Sequence, residues 1–179
     1  MDIYKLKFTK LQNEIIRALC IKAGSSINQR RLAKLLKVSP TAVAKSLKLL
    51  EENDIVKVEK QEMNLNLVSL NRDNAKSFHI KRIENLKLIY ETGLVEFLEE
   101  ELPGNAIILF GSFSRGDDTL SSDIDIAVIG SKKQINLERF EKVLERKISI
   151  HSCKSLKEMG TELKENILNG IVLVGGVNL

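Results

Sequence analysis

The stretch from Ala106 to Gly130, AIILFGSFSRGDDTLSSDIDIAVIG, constrains the chain more than any other. Ala106 to Phe110 is continuously apolar, the pattern of a strand buried on both faces. Gly111-Ser112 follows at its carboxyl end, then a short polar segment, then a second strand in which Asp123 and Asp125 alternate with Ile124 and Ile126. Strand periodicity sends both carboxylates to one face and both isoleucines to the other. The fold of the second half must therefore bury two strands and still leave an acidic pair open beside a glycine-serine turn.

Glycine lets the backbone come close to a ligand, and Ser112 offers a hydroxyl and an N–H. A short helix beginning near Phe113 or Ser114 would aim free N–H groups at the same point, where an anion binds readily. Arg115 adds a positive fork suited to phosphate oxygens. Two carboxylates as close as Asp123 and Asp125 repel each other unless a cation lies between them. Mg²⁺ suits the pair, because it takes oxygen ligands and commonly combines one or two carboxylates with substrate phosphates. A phosphate cradle beside an acidic pair points to metal-assisted nucleotidyl transfer. A capping turn at Ser121-Ser122-Asp123 would explain either aspartate alone, but not the pair together with Gly111-Ser112 upstream.

At these residues the chain resembles the DNA polymerase β-like nucleotidyltransferase superfamily, in its minimal nucleotidyltransferase branch. FGSFSRGDDTLSSDIDIAV follows the pattern of an apolar residue, Gly, Ser, a spacer, then Asp–apolar–Asp. The resemblance covers about residues 90–179. It implies an α/β (α+β) mixed sheet with flanking helices, in which Gly111 and Ser112 hold the triphosphate of an NTP, ATP before others. It further implies that Asp123 and Asp125 hold Mg²⁺ as the catalytic acids, with Arg115 assisting at the phosphates. The acceptor would be a hydroxyl, and a partner toxin is one kind of acceptor among the related minimal enzymes.

Active members of that superfamily place a third carboxylate on a later strand. Here the corresponding strand, Lys147 to His151, turns Ile148 and Ile150 to the core and offers Lys147, Ser149 and His151 on its other face. Asp125 is the last aspartate in the chain, and the later glutamates fall on expected helices. His151 is the candidate substitute base for the attacking hydroxyl. Around this strand the spacing predicts a helix over Leu137–Leu144, with Leu137, Phe140, Val143 and Leu144 inward. Another helix is expected over Ser155–Leu168, and a last strand over Ile171–Val174.

The first part of the chain has a different character. Residues 1–72 carry 14 Lys and Arg against 7 Asp and Glu, a balance of +7, whereas residues 73–179 stand at −3. A basic first part beside a mildly acidic second part predicts two domains, with a polyanionic partner on the first. Thr9 can cap a helix to about Ala23, and Ser25-Ser26-Ile27 is short, as one edge strand would be. Asn28 caps a second helix, Gln29–Leu36, expected to bury Leu32, Leu35 and Leu36. Ser39-Pro40 is a start signal for a third helix to about Glu52, with Val43, Leu47 and Leu50 inward. A hairpin follows, Ile55–Lys60 and Leu65–Leu70, joined by Gln61-Glu62-Met63-Asn64, with Val56, Val58, Leu65 and Leu67 expected on one buried face.

That order of elements, and the stretch INQRRLAKLLKVSPTAVAKSLKLLEENDIVKVEK, resembles the winged helix-turn-helix fold of prokaryotic transcription regulators. The resemblance implies binding to double-stranded DNA, with Ser39, Thr41, Ala42, Lys45 and Ser46 toward the groove. Arg30, Arg31, Lys48 and Lys60 are the candidate phosphate contacts. The same core pattern also serves dimerisation or protein docking, an alternative that the helix pattern leaves open.

Between the two parts lies a connector. Asp73 or Asn74 can cap a helix over Ala75–Glu91 whose apolar residues are spread too widely for one stripe, so it is expected to pack on both domains or on a second subunit. It is the natural interface of a homodimer. A shorter helix runs from Leu94 to Leu102. The expected organisation is a winged helix over 1–72, a helical connector over 73–105 and a nucleotidyltransferase domain over 106–179 that can begin near 90.

No apolar run reaches the length of a membrane span, so no membrane partner is expected. The start, MDIYKLKF, lacks the apolar centre of a signal peptide. Cys20 and Cys153 are far apart and outside any Cys/His cluster, as reduced structural thiols of a cytoplasmic protein would be. Two functions remain open on these residues. The chain is a DNA-associated nucleotidyltransferase, or it is a winged-helix transcription regulator whose second domain senses nucleotide without chemistry.

Overall fold

The structure is a computed structural model and describes residues 7–62 and 65–176. Met63 and Asn64, the second half of the expected hairpin turn, lie outside the described residues, as do the first six of the residues read for a leader. The chain divides between Phe78 and His79 into two compact units.

In the first unit α1 (Lys10–Ile21) starts at a reciprocal cap. Gln12 N–H donates to Thr9 Oγ1 at 3.3 Å and Thr9 N–H to Gln12 Oε1 at 2.8 Å, which satisfies two amides that a helix start leaves unpaired. Its apolar stripe buries Ile15, Ile16 and Leu19. The short strand β1 (Ile27–Asn28) leads into α2 (Gln29–Leu35), capped by Asn28, and α3 (Pro40–Glu52) starts at the Ser39 cap with proline in its first turn. Val43, Leu47 and Leu50 of α3 are buried as their spacing predicts. In α2 the buried pair is Leu32 and Ala33, while Leu35 is 53% exposed. Leu35 stands off the stripe that 32, 33 and 36 share at helical spacing, so the expectation of its burial fails.

The hairpin is β2 (Val56–Gln61) and β3 (Leu65–Leu70), and the antiparallel sheet has the order β1-β3-β2. Its register pairs Val56 with Leu70 and Val58 with Val68. Directly opposed residues share a face, so Val68 and Leu70 are buried, and Leu65 and Leu67 belong to the other side. The expected face of β3 is thus reversed.

Helix α4 (Ala75–Glu91) starts at Asn74, whose Oδ1 accepts from Lys76 N–H at 3.0 Å. Its apolar residues are indeed scattered. Ile83 is 65% exposed, while Ser77, Lys81, Asn85 and Ile89, four residues apart, are buried.

The second unit is built on a four-stranded mixed sheet of order β6-β5-β4-β7. Its strands are β4 (Ala106–Phe110), β5 (Ile124–Ile129), β6 (Ile148–Cys153) and β7 (Ile171–Val174). β4 lies antiparallel to β5 and β7, and β5 lies parallel to β6, as the crossover helix α7 (Glu138–Leu144) requires. Each face has its own core. Ile107, Leu109, Ile124, Ile126 and Ile148 pack with α5 (Leu94–Glu101) and with Phe140 and Leu144 of α7. Ile108, Phe110 and Ala127 pack with Leu156 and with Ile167 of α8 (Thr161–Leu168). Burial of such side chains contributes about 1.5–3 kcal/mol each.

Two expectations in this unit are corrected. Val143 is 67% exposed, because the inward stripe of α7 runs through Leu137, Phe140 and Leu144. Ser155–Leu168 is not one helix: a 3-10 turn at Leu156–Glu158 is followed by extended backbone at Met159 and Gly160, and only then by α8.

Candidate functional site

β4 ends at Phe110 and the chain turns at once into α6 (Gly111–Arg115), two or three residues earlier than expected. Phe110 is paired with Asp125 across the sheet, so the start of α6 is brought against the acidic strand. The approach is as close as glycine allows. Gly111 has φ +73°, and a Cβ there would collide with the Asp125 carboxylate and stand 3.2 Å from its Cγ. Ser112 follows directly, half-buried, with its carbonyl accepting from the N–H groups of Gly116 and Asp117.

Asp123 is exposed just before β5 and Asp125 is partly buried within it, on the face opposite Ile124 and Ile126. The parallel neighbour β6 brings its own side chains to the same place. Ser149 Oγ donates to Asp123 Oδ2 at 3.2 Å, and His151 Nε2 lies 3.4 Å from Asp125 Oδ1. His151 is also held edge-on against Phe110, with ring centroids 5.1 Å apart. The strand beside the acidic pair therefore presents a hydroxyl and an imidazole, both in contact with it. Arg115 is half-exposed and spends its Nε–H on Asp117 at 3.1 Å. A role at phosphate would require it to exchange that partner.

The donor set fits a hard divalent cation: two carboxylates at one strand end, beside a backbone turn that a side chain would block. Among the described residues, no group of three or more His, Cys, Asp and Glu side chains is arranged to hold a metal ion. A cation here would draw the rest of its ligands from phosphate and water.

Beneath the turn lies a buried charge cluster that sequence reasoning missed. Asp118 is fully buried and takes Lys81 Nζ at 2.9 Å, Arg146 Nη2 at 3.1 Å and Asn85 Nδ2 at 2.7 Å. Asn85 Nδ2 also donates to the Phe113 carbonyl at 2.9 Å. Arg146 Nη1 donates to the carbonyls of Thr119 and Ser122, the latter at 3.1 Å. Burial pushes the Arg146 guanidinium below its ordinary value, with Asp118 pulling the other way. The available signal was the four-residue spacing of Ser77, Lys81 and Asn85 with Ile89. Nothing comparable marked Asp118 or Arg146.

In the first unit, Arg30, Arg31, Ser39, Thr41, Lys45, Lys48 and Lys60 are exposed, while Ala42 and Ser46 are half-buried on α3. Ser39 Oγ accepts from Ala42 N–H at 3.1 Å, so this side chain caps the helix whatever else it meets. Lys48 has Glu52 4.0 Å away, one helical turn on. Gln29 ties the elements together: its Nε2 donates to the Pro40 carbonyl at 3.2 Å and its Oε1 accepts from Asn66 Nδ2 at 3.0 Å. The start of α3 and the β3 strand of the wing are thus held by one side chain from α2. No helix among the described residues is long and apolar enough to cross a membrane.

Residues 92–174 match the family model of the nucleotidyltransferase domain, and residues 10–57 that of winged helix-turn-helix DNA-binding. No curated protein matches the chain. Among solved structures the chain is similar to ZitR of Lactococcus lactis, a zinc-responsive MarR family member, at 23% identity and a TM-score of 0.42, over 58% of this chain and 69% of that one. The same protein in complex with DNA gives 24% identity and a TM-score of 0.39, over 56% of this chain and 64% of that one. The adhesin competence repressor AdcR of Streptococcus pyogenes gives 20% and 0.41, over 54% and 69%. On the two family matches, the chain joins a winged helix-turn-helix DNA-binding domain to a nucleotidyltransferase domain.

Proposed function

We propose that the chain is a DNA-bound nucleotidyltransferase that takes an NTP, ATP first, with Mg²⁺ and transfers a nucleotidyl group to a hydroxyl acceptor. The observation that carries this reading is the contact of Gly111 with the Asp125 carboxylate, which joins the phosphate turn to the acidic pair. The backbone at Gly111 and Ser112 receives the phosphates. Asp123 and Asp125 supply hard oxygen donors, with Ser149 orienting the first of them. A divalent cation bound there would neutralise phosphate charge and polarise the phosphoryl oxygens. His151 Nε2, beside Asp125, is the group able to receive the proton of the attacking hydroxyl. A partner toxin is the acceptor proposed from the minimal enzymes, an argument by analogy.

The first domain holds the protein on double-stranded DNA through Thr41, Ala42, Lys45 and Ser46 at the groove, with Ser39 at the cap of the same helix. Arg30, Arg31, Lys48 and Lys60 meet phosphates. A homodimer through α4 belongs to the same proposal, supported by exposed Ile83 and Tyr90 one heptad apart.

One observation favours a second reading. Ser149 stands beside Asp123 where an acid would complete the site, so a regulator that binds Mg·NTP without turnover fits the same geometry. Incubation with labelled NTP and candidate acceptors, beside Asp125→Ala, separates the two. Transfer abolished by the substitution supports the enzyme. Binding with no transfer to any acceptor moves the function to the regulator, and no NTP binding at all overturns both.

A further inference from the structure

The segment from Ser112 to Asp123 joins the phosphate turn to the acidic pair, and both of its ends are gripped by buried side chains from elsewhere. Near its start, Asn85 of α4 holds the Phe113 carbonyl, one residue after Ser112. Near its end, Arg146 holds the Ser122 carbonyl, one residue before Asp123. Asp118 in the middle takes Lys81, Asn85 and Arg146 together. We infer that Lys81, Asn85 and Arg146 are positioning residues for the nucleotide site, which use Asp118 as an anchor to fix the Gly111-Ser112 turn relative to Asp123 and Asp125.

The inference rests on the proposal that this is the nucleotide site, and physical cost supports it. Charged groups as buried as Lys81, Asp118 and Arg146 commonly gain little stability over well-packed apolar side chains, because desolvation offsets much of their attraction. What such a cluster adds is direction. Apolar contacts let a loop slide, whereas a carboxylate with three donors and three gripped carbonyls holds one position. A site that uses a backbone turn and two carboxylates, with ten residues between Ser112 and the first of them, needs that hold.

Asn85→Leu removes the hold on Phe113 at similar volume. Arg146→Lys keeps a cation near Asp118 but loses the fork onto Thr119 and Ser122, and it is the variant that folds if Asn85→Leu does not. Amide exchange at Gly116, Asp117 and Ser122, whose N–H groups bond within the segment, reports its order without any ligand. Expected are about tenfold or faster exchange at these amides with β4 and α5 unchanged, and Mg·ATP affinity weakened by about 10- to 100-fold. Unchanged exchange in the segment, or loosening shared equally by β4 and α5, would overturn the inference. A wild-type protein that binds no Mg·ATP would sink the proposed function, and the exchange result would still decide the positioning.

Discussion

Replacing Gly111 with alanine perturbs the close approach to Asp125 on which the proposed site depends, and the structure supplies its control. Gly111 and Gly104 have nearly the same left-handed backbone, with φ of +73° and +76°. An L residue there costs about 1–2 kcal/mol of backbone strain. Beyond that the two positions diverge. A Cβ at Gly104 meets nothing within 4 Å, whereas at Gly111 it collides with the Asp125 carboxylate. To clear the new atom the Asp125 carboxylate must turn, and its Cγ, 3.2 Å away, must give by a few tenths of an ångström. Both variants should therefore melt lower by a comparable strain, about 4–8 °C per kcal/mol for a unit of this size. Gly111→Ala should add the cost of displacing Asp125, and it alone should lose Mg·NTP affinity. Calorimetric melting and titration with Mg·ATP read the two effects separately. Equal melting of Gly111→Ala and Gly104→Ala, with nucleotide affinity intact in both, would refute the reasoning.

Ser149→Asp puts a third acid beside Asp123; the variant should melt below wild type without divalent cation and regain more than wild type does when Mg²⁺ is added, about 2.7 kcal/mol at a hundredfold excess over Kd. An equal Mg²⁺ shift in both proteins would mean that the face holds no cation. Lys45→Ala should weaken DNA binding and lower the slope of log affinity against log salt by about 0.9, one phosphate contact, in a fluorescence anisotropy titration. An unchanged slope would remove Lys45 from the interface. In the first unit, Lys57 donates to Asp73 and holds its carboxyl below the ordinary value of 3.8. The sign follows from a depressed carboxylate: the contribution is present in full above the ordinary value and is lost as pH falls through the lower folded one. Wild type and Lys57→Met should thus differ in melting at neutral pH and converge in acid, and a difference that persists there would count against the pair.

Much of the fold was legible because its signals are local. Thr9, Asn28 and Ser39 each announce a helix start, and each is found capping one. Ala106–Phe110 reads as a doubly buried strand and is one. Period arguments failed where apolar residues occupy both phases. Leu65, Leu67, Val68 and Leu70 offer β3 two possible faces, and the pairing of Val58 with Val68 decides between them. Leu35 and Val143 are apolar side chains one step off their stripes, which composition cannot distinguish from core. In the candidate site, Gly111, Ser112, Asp123 and Asp125 are visible as a motif because they lie within one short stretch of the chain. Lys81, Asn85, Asp118 and Arg146 are scattered over 66 positions and meet only through tertiary packing, so beyond the four-residue spacing of Lys81 and Asn85 their buried cluster has no sequence signature. Ser149 and His151 were placed by strand alternation, but their contacts with Asp123 and Asp125 follow from the parallel register of β5 and β6.

The central claim is that Gly111-Ser112 and the pair Asp123 and Asp125 form one metal–nucleotide site. Isothermal titration of wild type and Asp125→Ala with ATP, in Mg²⁺ and then in EDTA, tests it most directly. The predicted result is binding by wild type that requires Mg²⁺ and is lost in Asp125→Ala. Equal binding in EDTA, or full affinity in the variant, would contradict it.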